Sequence, residues 1–370
     1  MVEILVDGIP KEKGGIGTFL FNMARWSKQC TSEPRINFSF LVPKGSDYQC
    51  LLEQIKCNVF IVPSLLHHFS YEKAIKKIFL NKNYDYLWIN NTSKVNKTLL
   101  EIAKINGTKI ITHPHGVDNE EKGIKKTIFH LLDNLNKRYY FDSINVPLSC
   151  SIDAAKSFYG NSRIILEKTT VINNGIFTED FAYSDIARKE IRDKFKIGDN
   201  DILIGTVGRM TAVKNQLFLV HVLQKLGKNY KLMILGDGED RSKIESEIKD
   251  NCLEARVLLP GSVSNVNDYL SAFDLFVLPS LHEGMPYSVI EAQAEGLRCI
   301  VSDTVSKEVE ITDLVSFSRL NDIDDWVEKI ISNTGKLIDI QRVKYAQIIA
   351  NSGYGIETSY LRFQSAIKCT

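Results

Sequence analysis

Apolar and polar positions along the chain follow two alternating rhythms. Short apolar runs recur, and between them lie longer stretches in which apolar residues return every three or four positions. The first rhythm suits a strand buried on both faces and the second an amphipathic helix. Their alternation is the mark of βαβ units and parallel sheets, an α/β fold. In the first half the runs predict strands at residues 3–6, 38–42, 59–62, 86–89 and 109–112, with a weaker one at 143–146. In the second half they predict strands at 202–207, 231–235, 257–259, 275–278 and 299–302, and segments 216–226 and 241–251 carry helical spacing. A strand-like run beginning at Val171 meets the turn signal Asn173-Asn174-Gly175, which marks a boundary. Residues 1–172 then form one domain and 173–354 a second. The tail 339–370 is rich in helix formers, and a helix at about 355–370 is expected to pack back on the first domain.

Length agrees with this division, since 370 residues exceed one ordinary core and suit two α/β domains. The net charge of +1 hides an asymmetry: residues 1–175 carry 23 Lys and Arg against 16 Asp and Glu, and the remainder 23 against 29. A basic first half suits an anionic surface or acceptor, or it is simply an uneven solvated face. Seven cysteines show no C-x-x-C and no metal-ligand spacing, which fits idle thiols in a reducing compartment. The start of the chain lacks a basic, then apolar, leader pattern, and no run approaches the ~18 apolar residues of a membrane span. A cytoplasmic protein is expected, with any membrane contact peripheral, at the inner face of the cell membrane.

Four segments carry candidate chemistry. The first is His282-Glu283-Gly284-Met285-Pro286-Tyr287-Ser288-Val289-Ile290-Glu291, which follows the strand at 275–278. Pro286 suits a first helical turn and Gly296 a helix end, so Glu283 stands at the helix mouth and Glu291 roughly two turns further in. A carboxylate accepts two hydrogen bonds at once from a vicinal diol, and N–H groups at Gly284 and Met285 can meet hydroxyl or phosphate oxygens. Two glutamates at this spacing also suit a solvated helix face. The second segment is Gly205-Thr206-Val207-Gly208-Arg209, with Lys214-Asn215 shortly after. A buried strand ending in glycine with two cations behind it suits a diphosphate, and a helix start is a poor place for cations otherwise.

The third segment, Gly14-Gly15-Ile16-Gly17-Thr18, follows the first strand and offers close backbone approach at a helix N-terminus. It is neither G-x-G-x-x-G nor a P-loop, and it reads equally as a tight turn. The fourth, Thr112-His113-Pro114-His115-Gly116, places two histidines on a loop at a strand end. Gly236-Asp237-Gly238-Glu239-Asp240 precedes a helix, where acidic residues serve as caps, and is read as structural. Residues 122–141 mix cations with aromatics and suit either an anionic membrane surface or a helix on its own core.

Taken in order, these segments resemble the GT-B glycosyltransferases of family 4, and within it the subgroup that builds capsular or exopolysaccharide. To them are added Asn173-Asn174-Gly175-Ile176, Gln216, Phe273 to Ser280, and Gly296-Leu297-Arg298-Cys299-Ile300-Val301-Ser302-Asp303. The resemblance implies two Rossmann-like domains facing a cleft, with the donor held mainly by the second. It implies that Arg209 and Lys214 bind the diphosphate, Glu291 the ribose, and Glu283 with residues 284–286 the transferred sugar. Gly208, Gly236, Val263, Tyr287 and Ser288 join the substrate-binding set. Gly15, Ile16 and Gly17 complete the phosphate site, and either His113 or, preferably, His115 points at the sugar. The implied reaction retains anomeric configuration, uses no metal or other cofactor, and moves a hexose or N-acetylhexosamine from a nucleotide diphosphate sugar, UDP-linked, to a lipid-linked saccharide. No nucleic-acid partner is expected. An epimerase of the same architecture and a non-catalytic nucleotide-sugar-binding subunit are the alternatives. Arg298 stands where proline is frequent in the family and Gln293 where methionine is common.

Overall fold

The computed structural model describes residues 1–90, 96–116, 136, 138–160, 163–334 and 342–368. The described chain divides into two compact units. Unit 1 comprises residues 1–176 with 356–370, and unit 2 residues 177–355, so the chain passes between them twice.

Unit 1 is built on seven strands: β1 (Val2–Asp7), β2 (Ile36–Pro43), β3 (Asn58–Val62), β4 (Tyr86–Ile89), β5 (Lys109–Thr112), β6 (Val146–Ser149) and β7 (Thr170–Val171). They pair in parallel in the order β3-β2-β1-β4-β5-β6-β7. Unit 2 has six: β8 (Ile202–Val207), β9 (Tyr230–Leu235), β10 (Val257–Gly261), β11 (Leu275–Leu278), β12 (Cys299–Ser302) and β13 (Val315–Ser318). Their order, β10-β9-β8-β11-β12-β13, is again parallel throughout. In each sheet the order in which strands are added therefore reverses once, between β1 and β4 in unit 1 and between β8 and β11 in unit 2. In an open α/β sheet, ligands enter the crevice at the C-terminal ends of the strands flanking such a reversal.

Central strands β4, β11 and β12 are buried along their whole length. That is why they read as unbroken apolar runs rather than alternating ones. In unit 2, Gly205 lies inside β8 because a Cβ there would fall 1.9 Å from the Phe273 ring. In unit 1 the core between sheet and helices is aromatic. Trp88 of β4 lies 4.4 Å from Phe363 and 5.7 Å from Phe38, centroid to centroid.

One expectation needs correcting. The strand placed at 143–146 begins at Val146 and runs on to Ser149. Ser143 belongs instead to the turn before it, donating its hydroxyl to the Tyr139 carbonyl at 2.6 Å. The tail divides between the units. The helix Lys344–Ile349 packs on the helix Tyr287–Ala294 of unit 2. Only Ile356–Lys368 joins unit 1, against the helix Gly15–Gln29. Strand β13 was not foreseen. Residues 122–135 and 137 of the cation–aromatic stretch lie outside the described residues. The six described cysteines are all free thiols.

Candidate functional site

The reversal in unit 2 gathers most of the residues singled out in the sequence. After β8 the chain turns at Gly208 (φ +158) into Arg209 and on to Lys214; after β11 it passes through Ser280 to Glu283. These two loops bind each other. The Leu281 N–H donates to the Val213 carbonyl at 2.7 Å, and Asn215 donates its side-chain amide to the Pro279 carbonyl at 3.2 Å. Between them the Lys214 ammonium pairs with the Glu283 carboxylate, whose same oxygen accepts the Ser280 hydroxyl at 2.9 Å. Both side chains are mostly buried. Arg209, by contrast, is about half exposed and rests 3.4 Å from Glu239. The geometry thus provides one held cation and one reachable cation at the same strand ends.

The helix Tyr287–Ala294 starts one residue later than expected, because Pro286 (ψ 118) is its N-cap rather than part of its first turn. The Pro286 ring supplies no cap, and no acidic residue sits in that first turn, where Tyr287 and the buried Ser288 lie. Gly296 (φ +76) ends the helix as expected, with a Cβ there 2.5 Å from the Arg342 backbone. Met285 and Val263 pack on the unit 2 core, fixing the loops that carry them. Gly284 is different: no atom stands within 4 Å of where its Cβ would be. The fold does not require glycine there, whereas a closely approaching ligand would. Glu291 keeps some exposed surface, yet burial alone pushes its carboxyl up to about 7. No side chain among the described residues hydrogen-bonds or pairs with it. A desolvated acid without a partner is poised to accept hydroxyl donors.

Gly236 (φ +132) and Gly238 (φ +159) are held by neighbouring backbone, since a Cβ would lie 2.1 Å from the Gly208 carbonyl oxygen and 2.3 Å from that of Met210. They lock the loop after β9 to the loop after β8, so their role in shaping the site is indirect. Asp240 takes the N-cap position of Arg241–Asp250 but makes no cap bond; it pairs with Lys243 instead.

Unit 1 presents a second cluster at its own reversal. Gly14 precedes the helix Gly15–Gln29, which has no side-chain cap and no acidic first-turn residue. Tyr48 anchors this turn, its hydroxyl meeting both the Gly14 carbonyl (2.8 Å) and the Gly14 N–H (2.9 Å). Gly17 makes room for that ring, because its Cβ would fall 2.3 Å from Tyr48. Gly15 is exposed and Ile16 half-buried, so the first-turn backbone faces outward.

The two histidines have different fates. His113 is wholly buried, stacked at 15° on Trp88 and beside Phe19, with neither ring nitrogen hydrogen-bonded. Burial drives its pKa well down, with His115 adding to the effect. It is a core residue. His115 is clamped between two asparagines, Nε2 3.0 Å from Asn90 Oδ1 and Nδ1 3.0 Å from Asn174 Oδ1. Burial lowers its pKa to about 4, so the ring is neutral at physiological pH. Asn90 commits its NH₂ to the carbonyls of Asp7 and Trp88, which leaves its oxygen for His115 and places the ring proton on Nε2.

Comparison with known proteins accords with this geometry. The profile of the family described as glycosyl transferases group 1 matches residues 187–334, all within unit 2. EpsF of Bacillus subtilis (strain 168), named a glycosyltransferase, is 27% identical over 333 residues, 86% of this chain and 84% of its own. An Escherichia coli enzyme named UDP-Gal:alpha-D-GlcNAc-diphosphoundecaprenol alpha-1,3-galactosyltransferase is 28% identical over 318 residues, 81% of this chain and 80% of its own. The fold is that of the GT-B glycosyltransferases, and residues 187–334 are similar to the group 1 family. Anabaena HepE, solved with UDP and glucose, shares the fold across 100% of both chains at a TM-score of 0.79 and 17% identity.

The sequence did not single out Asn90 or Tyr48, and it named Ser280 and Asn174 as parts of turns and of the family resemblance without giving either a role. Asn90 had a usable signal, since it directly follows a strand, β4, that flanks the reversal. Tyr48 had none, because its role comes from tertiary packing against Gly17.

Proposed function

We propose that the protein transfers a hexose or N-acetylhexosamine from a UDP-sugar to a lipid-linked saccharide in capsular or exopolysaccharide synthesis, with retention of configuration and without a metal. The observation that carries this reading is the unit 2 constellation of Arg209, Lys214, Glu283 and the unpartnered Glu291 at one strand reversal. The relatives' names support the substrate class, for one acts on a diphosphoundecaprenol-linked sugar and another on a bacillosaminyl-diphospho-undecaprenol acceptor.

In this reading Arg209 and Lys214 neutralise the diphosphate and stabilise its growing charge as the bond to the sugar's anomeric carbon breaks. Lys214 exchanges Glu283 for phosphate, and the freed Glu283 carboxylate accepts sugar hydroxyls beside the open Gly284. Glu291 accepts both ribose hydroxyls. The acceptor oxygen bonds the anomeric carbon on the face the diphosphate leaves, and its proton passes to a leaving phosphate oxygen. Residues 15–17 are assigned to the phosphates and His115 to the transferred sugar. As the Nε2–H tautomer held by Asn90, His115 releases one asparagine to take up a sugar hydroxyl. The enzyme works at the inner face of the cell membrane, where a lipid-linked acceptor resides.

The test is thermal stabilisation by UDP, GDP, ADP and NAD, beside an Arg209→Ala/Lys214→Ala variant. A ligand at 100 times its dissociation constant adds about 2.7 kcal/mol. Stabilisation by UDP, lost in the variant, is the expected result. Stabilisation by NAD alone overturns the reading, and an unchanged response in the variant overturns the phosphate assignment.

A further inference from the structure

An outward face of unit 1 runs against the usual distribution of residues. The helix His68–Asn81 buries Tyr71, Ile75, Ile78 and Phe79 against the unit 1 core. At 100° per residue these occupy one side, and Phe69, Lys73, Lys76, Lys77 and Leu80 fall together on the opposite side. On that side Phe69 is 87% exposed and Leu80 84% exposed, and Leu66, just before the helix, is 86% exposed. Large apolar side chains so open to water are explained singly by chance, but three along one strip with cations between them are not. Lys76 pairs with Glu72 at 2.6 Å, whereas Lys73 and Lys77 have no acidic partner among the described residues.

The strip also has a defined position. It begins where β3 ends, and in a parallel sheet all C-terminal strand ends lie along one edge. Leu66 and Phe69 therefore share an edge with the turn at residues 14–17 and with Asn90 and His115. His68 secures this end, its Nε2 3.0 Å from the Thr98 hydroxyl. No described helix is long and apolar enough to cross a membrane. An enzyme acting on a lipid-borne saccharide then needs a surface that meets the bilayer.

We propose that the face formed by Leu66, Phe69, Lys73, Lys76, Lys77 and Leu80 docks on an anionic phospholipid bilayer, with Leu66 and Phe69 entering the headgroup boundary and the lysines meeting lipid phosphates. The proposal rests on the lipid-linked acceptor reading and assigns it a surface. Aromatic and leucine side chains beside lysines on one helix face are the chemistry of interfacial binding. Charge complementarity selects an anionic surface over a neutral one, and each lysine near such a surface is worth about fivefold in partitioning. Phe69 at the edge that carries His115 brings the acceptor's lipid tail and its saccharide to the same side of unit 1.

Flotation of the full chain with vesicles decides the matter, using phosphatidylglycerol–phosphatidylcholine mixtures and phosphatidylcholine alone. The chain should float with the anionic vesicles only, and less so as salt rises. Lys73→Glu/Lys77→Glu should cut binding more than tenfold, as should Leu66→Ser/Phe69→Ser. All four residues are exposed, and an unshifted unit 1 transition in calorimetry reports that each variant keeps unit 1 folded. Failure of the wild type to float, or flotation unchanged in both variants, overturns the proposal. So does a change from dimer to monomer by light scattering in Leu66→Ser/Phe69→Ser, which would assign the face to a second copy. A chain that UDP stabilises but no vesicle binds removes this inference alone; one that UDP does not stabilise removes the function beneath it.

Discussion

Glu291 sits at odds with stability. Its carboxyl, ordinarily near 4.5, is pushed up to about 7 by burial with no compensating partner. The folded state therefore holds a proton that the unfolded chain has released, and this contribution is full below about pH 4.5 and lost as pH rises through 7. Glu291→Gln removes the ionisable group and should raise stability at pH 8 by roughly 2–3 kcal/mol, a shift of several degrees in Tm, while UDP affinity falls. Glu295, also near 7 from burial, contributes a slope of the same sign and survives in the variant, so the pH dependence is reduced rather than abolished. Melting curves at pH 5 and pH 8 check this. Equal stability at pH 8, or unimpaired UDP binding, would show that Glu291 has neither the strain nor the role given it.

His115 has the opposite sign. Its pKa of about 4 lies below the ordinary 6.5, so its contribution is lost as pH falls from 6.5 through 4. Asn90→Ala leaves the Nε2 proton without its acceptor, for an expected cost of about 1–3 kcal/mol at neutral pH. Nitrogen NMR of the ring should show the Nε2–H tautomer in the wild type, with Nδ1 accepting from the Asn174 amide once that group is turned to offer NH₂. An Nδ1–H signal would contradict the clamp. None of this was legible in the sequence. The pair His113 and His115 could be placed on a loop at a strand end, but which of them is core depends on Trp88 and Phe19, which are distant in sequence.

At the scale of elements, strand bounds were most legible where an apolar run is buried on both faces, while the edge strands β3 and β10 were found with their bounds one or two residues short. β4, β5, β8, β11 and β12 were placed at their observed bounds, each around a buried apolar run. β13 escaped because Val315-Ser316-Phe317-Ser318 is an edge strand with only two large apolar residues. The strand β6 was displaced because Pro147 reads as a stop. It is tolerated because the short β7 pairs only with Leu148 and Ser149, so no ladder bond is asked of Pro147 from that side. Turns separate in the same way. Gly17 and Gly236 were singled out for ligand approach, yet each is required by its own fold, against Tyr48 and the Gly208 carbonyl. Gly17→Ala should therefore lower the stability of unit 1 by about 1–3 kcal/mol through overpacking, even without ligand. Denaturant unfolding of the ligand-free protein measures this, and an effect seen only with UDP bound would return Gly17 to a purely ligand-facing role.

For the whole molecule, the crossing of the chain at Ile176 and again at Gly355 divides labour unevenly. Unit 2 is continuous in sequence, owns its sheet and core, and contains Arg209, Lys214, Glu283 and Glu291. Unit 1 is discontinuous and needs the final helix. Phe363 lies against Trp88 and Phe38, Gln364 reaches Ser32 and the Pro34 carbonyl, and the Tyr86 hydroxyl donates to the Ile367 carbonyl. A chain ending at Gly355 should therefore expose the aromatic core of unit 1 and leave unit 2 intact. Removing Phe363 alone from such a core is worth about 3–5 kcal/mol, a large share of a domain's net stability. Calorimetry of the truncated chain should show two separate transitions, the lower from unit 1 and the higher still raised by UDP. Segment 177–355 produced alone should fold and bind UDP, though with no transfer activity. If truncation instead lowered both transitions together, the units would share stability that their separate sheets and cores do not account for. If the isolated segment folded without binding UDP, the nucleotide would require residues 14–17 of unit 1 for affinity, not only for chemistry.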